Sequence, residues 1–359
     1  MNRKTVVLTG GGTGGHVTPN IALLPYLQKK GYKVCYIGSE NGMERQLIEP
    51  IGIPYYGIDS ERLNRYFTLA NLTMPFHVIR GLFQARKLLK KLRPDAVFSK
   101  GGFVSVPVVI AAHQCKIPCV CHESDITPGL ANKLAAPFAW KVCVNFEEAL
   151  QYMPKGKGVY TGTPIRDSLL SGSREKGLRL SGLNHEKPVL LVMGGSTGAQ
   201  ALNEGVRKAL PLLLADFQVL HLCGKGNLDD SLRSQKGYFQ IEYANTEMPH
   251  FYAAADVTLC RAGANSLAEI VALGLPNVLV PLPLSASRGD QILNARSFTE
   301  KGYSVTLEQE KLTGENIRRA VSEVYRNRAK YQAAMKRDHQ QSGTERVLEV
   351  IEEAMASGK

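Results

Sequence analysis

Long apolar runs are missing from this chain: none approaches the length of a membrane span. Only Val6-Val7-Leu8 separates a polar start from a run of glycines. That is too short for the apolar core of a signal peptide, so a cytosolic chain is expected. Cysteine pairing is missing too. The seven cysteines form an odd set with no CxxC spacing, which argues against a disulfide framework. Cys35, Cys119, Cys121, Cys143, Cys223 and Cys260 lie in apolar runs and read as buried free thiols rather than metal ligands. Acid is missing from one stretch. Residues 62–94 hold eight Lys or Arg and no Asp or Glu, in a chain of formal net charge +12. Such a balance raises nucleic acid or an anionic membrane as a partner.

What is present is strand–helix alternation in a chain of 359 residues, long enough for two domains. Buried strands are expected at 5–8, 33–38, 94–99, 117–121 and 141–144. After a pause near Gly162-Thr163-Pro164-Ile165-Arg166 and a low-order stretch at 171–186, more follow at 189–193, 255–260 and 278–281. The alternation predicts an α/β fold of mostly parallel sheets with helices on both faces. Residues 315–355 read as helical, with a break near Ser342-Gly343.

The first strand stops in Gly10-Gly11-Gly12-Thr13-Gly14-Gly15-His16 and turns into a helix. Glycines at a helix start leave N–H groups and the positive end of the dipole for an anionic or electron-rich oxygen. Gly10, Gly12 and Gly15 also satisfy the dinucleotide pattern, and Glu40 lies near the place of a ribose-binding acid. Against a dehydrogenase stand His16 directly after the last glycine, the recurrence of the unit later, and the want of a hydride-transfer constellation. The recurrence is Gly194-Gly195-Ser196-Thr197-Gly198. It matches Gly11-Gly12-Thr13-Gly14-Gly15 in character and implies two similar domains facing across a cleft.

The second half reads as a nucleotide-diphosphate site. Ser196 on its glycine turn and Ala264-Asn265-Ser266 at another helix start suit phosphates, and Arg166 offers a guanidinium. Glu269, one turn into its helix, suits ribose hydroxyls; Gln291, at a helix start, suits sugar hydroxyls. In His122-Glu123-Ser124-Asp125 the acid-x-Asp spacing also occurs in metal-dependent transferases, but a sugar-contacting loop is the preferred reading and no metal is expected.

In the basic stretch Val78, Leu82, Ala85, Leu89 and Leu92 fall on one helical face, with Arg80, Arg86, Lys87, Lys90, Lys91 and Arg93 on the rest. Phe67, Leu69, Leu72, Met74, Pro75 and Phe76 form an apolar, loop-like segment before it. Apolar residues beside an acid-free run suit an anionic lipid surface. RNA is disfavoured, because no stacking aromatics are interleaved.

Taken together, these stretches resemble the MurG family of peptidoglycan UDP-N-acetylglucosamine transferases over nearly the whole chain. The likeness rests on the opening glycine motif, Gly101-Gly102-Phe103-Val104-Ser105, His122-Glu123 with Gly129-Leu130-Ala131-Asn132-Lys133, and Gly162-Thr163-Pro164-Ile165-Arg166. It continues through Gly194-Gly195-Ser196, Arg261-Ala262-Gly263-Ala264 with Glu269, and Asp290-Gln291 with Asn294-Ala295. The resemblance implies a GT-B architecture of two Rossmann-like domains: 1–163 for the acceptor and membrane, and 164–339 for UDP-GlcNAc. Helix 340–359 would pack back on the first domain.

It further implies transfer of GlcNAc to the 4-hydroxyl of lipid I with inversion, giving lipid II, with no cofactor, at the cytoplasmic face of the cell membrane. Region 62–94 would meet the anionic inner-membrane surface. Donor contacts carried over are Thr13, Gly14, Gly15, Asp125, Arg166, Ser196, Ala264, Glu269 and Gln291. The chain departs from the family at Asp125, where many members carry Asn, and at Asp290, where a second Gln is usual. Displacement with inversion needs a base, and His16 is the candidate. Another GT-B enzyme with a lipid acceptor, or a nonhydrolysing UDP-sugar epimerase, are the alternative readings.

Overall fold

The computed structural model describes residues 3–60, 70–195, 198–338 and 342–357. It divides into two compact units, residues 1–166 with 341–359, and residues 167–340.

In the first unit seven strands run parallel: β1 (Thr5–Thr9), β2 (Lys33–Ser39), β3 (Tyr55–Ile58), β4 (Ala96–Ser99), β5 (Cys119–Glu123), β6 (Lys141–Val144) and β7 (Gly158–Tyr160). Their order is β3-β2-β1-β4-β5-β6-β7, the doubly wound arrangement in which strand order reverses between β1 and β4. Helices α1 (Thr18–Lys29), α2 (Met43–Ile48), α3 (Ala70–Leu92), α4 (Ser105–Gln114) and α5 (Leu130–Ala135) follow successive strands. Because both faces of the sheet are covered, β1 and β4 carry fully buried Val6, Val7, Leu8, Val97 and Phe98 in continuous runs.

One face packs on α1 and on the C-terminal helix Gly343–Ser357, which buries Val347, Leu348, Ile351 and Met355 in the same core as Leu23 and Leu27. Gly343 begins that helix at close quarters, since a Cβ there would lie 2.7 Å from the carbonyl oxygen of Thr163. Thr344 Oγ1 then exchanges hydrogen bonds with the backbone of Ile165. The other face packs on α3 and α4. Helix α3 begins at Ala70, so Leu72, Met74, Pro75 and Phe76 are helical rather than loop-like. Leu72 and Met74 are good helix formers, and Pro75 falls within the first two turns. Phe67 and Leu69 lie outside the described residues.

The second unit repeats the topology with six parallel strands: β8 (Val189–Met193), β9 (Gln218–Leu222), β10 (Tyr238–Ile241), β11 (Val257–Cys260), β12 (Asn277–Leu279) and β13 (Ser304–Thr306). Their order is β10-β9-β8-β11-β12-β13. Its helices are α6 (Arg174–Ser181), α7 (Gln200–Asp216), α8 (Met248–Ala254), α9 (Ala264–Leu273), α10 (Asp290–Glu300), α11 (Gly314–Arg326) and α12 (Arg328–Asp338). Helix α6 corrects the expectation of low order at 171–186. Ser173 caps it by accepting from Lys176 N, and Gly182 ends it in the left-handed conformation. Gly177 lets it lie against α8, since a Cβ there would come within 2.2 Å of the carbonyl oxygen of His250. The six cysteines expected in the core are buried and free.

Candidate functional site

In the first unit the site is the loop between β1 and α1, at the point where strand order reverses. Each early glycine has a reason. A Cβ on Gly10 would sit 2.6 Å from the carbonyl oxygen of His16, and one on Gly11 would sit 2.4 Å from the carboxyl carbon of Glu44. Gly12 has φ +81°, where glycine alone is unstrained. Glu44, from α2, is fully buried and anchors the loop. It accepts from Gly12 N at 3.1 Å, from Ser39 N at 2.9 Å and from the Ser39 hydroxyl. Thr13 is exposed and Gly14 and Gly15 are half-buried; a Cβ on Gly14 would meet nothing within 4 Å. The outer side of the loop is therefore open.

His16 closes a short 3-10 turn, Gly14–His16. Its Nδ1 lies 2.9 Å from the carbonyl oxygen of Gly11 and 3.1 Å from Thr13 Oγ1. A carbonyl oxygen can only accept, so Nδ1 carries the proton and Nε2 of the neutral ring keeps its lone pair. Desolvation lowers the pKa of His16 below the usual imidazole value, and the Lys100 charge lowers it further. The Gly11 carbonyl, Glu123 and Glu44 pull the other way. The ring keeps some accessible surface, but protein surrounds it closely enough for the neutral form to be favoured.

Beside this loop, His122-Glu123-Ser124-Asp125 ends β5. Glu123 is buried, and both its oxygens are spent on N–H donors: Ser124 N at 2.7 Å, Asp125 N at 3.1 Å, Gly129 N at 2.9 Å and Asn132 Nδ2 at 2.9 Å. It holds the turn before α5 and offers no free oxygen to a cation. Asp125 sits on that turn, half-buried. Sequence reasoning singled out neither Glu44 nor Lys100, the buried groups under the loop. The available signal was a charged residue at the end of an apolar strand beside glycines, as in Ser99-Lys100-Gly101-Gly102.

In the second unit β8 ends in Gly194-Gly195, and Gly195 has φ +95°. A cavity of about 610 Å³ opens there, lined among others by Gly194, Gly195, Gly198, Arg261, Gln291 and Gln309. That volume suits a nucleotide-sized ligand. Arg261, at the end of β11, donates to the carbonyl oxygens of Val280 and Pro281 at 3.1 and 3.3 Å and to Gln309 Oε1 at 2.6 Å. Burial pulls its pKa down, but a guanidinium stays charged. Gln291 Oε1 accepts from Leu282 N at 3.1 Å, which ties the loop 281–290 to α10 and leaves the amide's N–H groups to donate.

The other expected residues divide as follows. Ser196 lies outside the described residues. Ala264 opens α9, and Glu269 accepts a 2.7 Å hydrogen bond from Tyr252; neither lines the cavity. Arg166 closes the first unit and makes no ion pair among the described residues. At Asp290, one of the two departures, the carboxylate takes both Nε and Nη2 of Arg288, at 3.1 and 2.8 Å.

A separate surface runs along α3. Ala85 and Leu89 are buried on the sheet and Leu82 and Leu92 pack beside them, as the periodicity predicts. Arg80, Arg86, Lys87, Lys90, Lys91 and Arg93 are exposed. Among them stand Ile79 and Phe83, one helical turn apart and 53% and 64% exposed. Among the described residues no helix is long and apolar enough to cross a membrane.

Comparison with known proteins places these features. Residues 6–144 match the glycosyltransferase family 28 N-terminal domain, and residues 189–351 match the family 28 C-terminal domain. The UDP-N-acetylglucosamine–N-acetylmuramyl-(pentapeptide) pyrophosphoryl-undecaprenol N-acetylglucosamine transferase of Lachnoclostridium phytofermentans is 55% identical, over 98% of this chain and 99% of that one. Its namesake from Lachnospira eligens is 54% identical over the same shares. The crystal structure of Acinetobacter baumannii MurG superposes with a TM-score of 0.74 at 28% identity, covering 98% of this chain and 99% of that one. The kitacinnamycin glycosyltransferase, at 16% identity and TM-score 0.76, shares the fold.

Proposed function

The chain belongs to the MurG family within glycosyltransferase family 28, and on that premise we propose a reaction served by one site in each unit. The enzyme is a UDP-GlcNAc-dependent N-acetylglucosaminyltransferase of peptidoglycan synthesis. It moves N-acetylglucosamine to lipid I, the undecaprenyl-pyrophosphoryl N-acetylmuramyl-pentapeptide, and forms lipid II.

The transfer is an inverting displacement. The acceptor's 4-hydroxyl oxygen bonds to the anomeric carbon as the bond from that carbon to the UDP oxygen breaks, and UDP leaves with the electron pair. The hydroxyl proton passes to Nε2 of His16. The observation that carries this assignment is the 2.9 Å contact of Nδ1 with the Gly11 carbonyl, which commits one nitrogen as donor and leaves the other as the base. Thr13, Gly14, Gly15 and Asp125 face the reacting sugars on this reading.

UDP-GlcNAc takes the cavity at the end of β8. Its diphosphate charge meets the positive end of α7 and the Arg261 guanidinium. The family resemblance adds Ser196, Ala264 and Arg166 as further donor contacts. Gln291 donates to sugar hydroxyls, and Glu269, held by Tyr252 outside the cavity lining, is carried over from the resemblance as the acceptor for a ribose that extends beyond it. Ile79 and Phe83 among exposed cations support peripheral attachment to an anionic membrane at its cytoplasmic face.

Release of UDP from UDP-GlcNAc, measured with and without lipid I, tests the reaction. Release should require the acceptor and should be unchanged by EDTA, since Glu123 spends its oxygens on four N–H donors. Acceptor-independent turnover would favour an epimerase instead.

A further inference from the structure

We propose that Lys100 is a positioning residue of the transfer reaction: a buried cation behind the glycine loop that keeps the His16 imidazole uncharged and ready to take a proton. The proposal rests on the reading of His16 as the base.

The placement follows from the sheet. Lys100 directly follows β4 and donates its backbone N–H to the carbonyl oxygen of Thr9 at 2.9 Å, which puts it beside Gly10 where strand order reverses. A Cβ built on Gly10 would lie 3.3 Å from Cβ of Lys100 and 2.6 Å from the carbonyl oxygen of His16. Only a glycine separates the two residues.

Lys100 is 1% exposed, and no carboxylate among the described residues forms an ion pair with its ammonium group. Its hydrogen bonds go to neutral groups, His122 Nδ1 at 2.9 Å and the Ser124 hydroxyl. His122 cannot share the charge. Its Nε2 lies 2.9 Å from the carbonyl oxygen of Gly162, so Nε2 carries the ring's proton and Nδ1 accepts from Lys100. Burial and the adjacent ammonium hold His122 well below the usual imidazole range. The positive charge therefore stays on Lys100, undiluted by contact with an anion.

Three charged groups face His16: Lys100 from β4, Glu123 from β5 and Glu44 from α2. Both carboxylates favour the imidazolium, and so would the diphosphates of the two substrates. An imidazolium cannot accept the acceptor's proton. Lys100 exerts the largest effect of the three, and its sign is the one a base needs. Its own pKa falls to about 8, lowered by burial against the pull of Glu123, Asp125 and Cys143, so it remains mostly charged at neutral pH.

The test uses the full-chain enzyme with isotope-labelled histidine. The His16 titration is followed by nuclear magnetic resonance and assigned with His16→Gln. In Lys100→Met the His16 pKa should rise by roughly one unit, and the acid limb of the kcat/KM profile should rise with it. Lys100→Gln keeps a donor for His122 without the charge and should give the same shift, which covers the case that the methionine variant does not fold. Ser124→Ala removes a hydrogen bond but not the charge and should leave the His16 pKa in place. An unmoved His16 pKa in folded Lys100→Gln overturns the proposal. So does an equal shift in Ser124→Ala, which would make the effect one of packing. If the His16 pKa rises while the acid limb stays put, the coupling to Lys100 stands and the reading of His16 as the base falls.

Discussion

In the first unit the strand after the crossover, β4, is followed directly by Lys100; in the second its counterpart β11 is followed directly by Arg261. The two residues occupy one place in one topology. Lys100 N donates to the Thr9 carbonyl at the end of β1, and Arg261 N donates to the Met193 carbonyl at the end of β8. That register pairs Gly10 with Gly194, one residue earlier than the resemblance of the glycine runs implies. Between strand and helix the first unit then has the longer loop, residues 10–17 against 194–199, and the extra length accommodates the 3-10 turn that carries His16. The cations differ accordingly. Lys100 points into neutral partners and acts on a neighbour through its field, whereas Arg261 braces carbonyls on the wall of a cavity. On the proposed reading, the same crossover serves proton chemistry in one unit and ligand binding in the other.

The largest expected effect comes from breaking the first half of that comparison. His16→Ala should lower kcat by roughly 10²- to 10⁴-fold while the affinity for UDP-GlcNAc, measured by calorimetry, changes only a few-fold. A large loss of affinity with turnover of bound donor intact would move His16 to the binding side. Arg261→Gln should do the reverse. It removes a charged group from the cavity wall and should raise KM for UDP-GlcNAc by about 10- to 100-fold, with the smaller effect on kcat.

Stability separates the two cations again. The folded-state pKa of Lys100 is about 8 against an ordinary 10.5. Below pH 8 both folded and unfolded chains hold the proton, and the burial penalty is constant. Between about 8 and 10.5 the unfolded chain holds a proton the folded chain has released, so stability rises with pH, by on the order of 3 kcal/mol in all. Lys100→Met removes that penalty but strands Nδ1 of His122, a loss of about 1–2 kcal/mol. The variant should therefore be about 1–2 kcal/mol more stable than the parent in urea at pH 7, and should lose that advantage by pH 10. Arg261→Met should show no such pH-dependent difference, because a guanidinium does not titrate there.

Much of this was legible in the sequence, for definite reasons. The central strands β1, β4, β5, β8 and β11 are mostly apolar because helices cover both faces, and both glycine loops stand at strand ends. The strands that periodicity left out are mostly short edges, β3, β7, β10 and β13. Strand β9 is interior, but buried Gln218 and His221 interrupt its apolar run. Those side chains find their partners elsewhere: Gln218 bonds to Asn184 and Lys187, and His221 to Tyr238 and Asn203. In the site, His16 and Gln291 could be picked out by their place at helix starts. Glu44 could not, because a buried charge is recognised only by what surrounds it, and Lys100 offered only the weaker signal of a charge after an apolar strand beside glycines. Tyr252 is similar: nothing in its local sequence links it to Glu269, seventeen residues on.

The smallest effect tests whether the units also differ on their outer surfaces. Helix α3 exposes Ile79 and Phe83 amid Arg80, Arg86, Lys87 and Lys90, so a single face offers apolar area and positive charge together. In the second unit Leu284 is 71% exposed, more than either, but it lies in a loop rather than on a basic helix face. If apolar exposure alone drives membrane association, Leu284→Ser should matter as much as Phe83→Ser. If the combination drives it, only Phe83→Ser should weaken sedimentation with vesicles containing anionic lipid. The drop should be roughly five- to tenfold, about 1–1.4 kcal/mol for one aromatic side chain partly buried at the interface. Binding of the parent should also fall as salt is raised, since exposed lysines and arginines act over little more than a Debye length. Equal losses from the two variants would show that apolar exposure alone, without the basic face of α3, drives the contact.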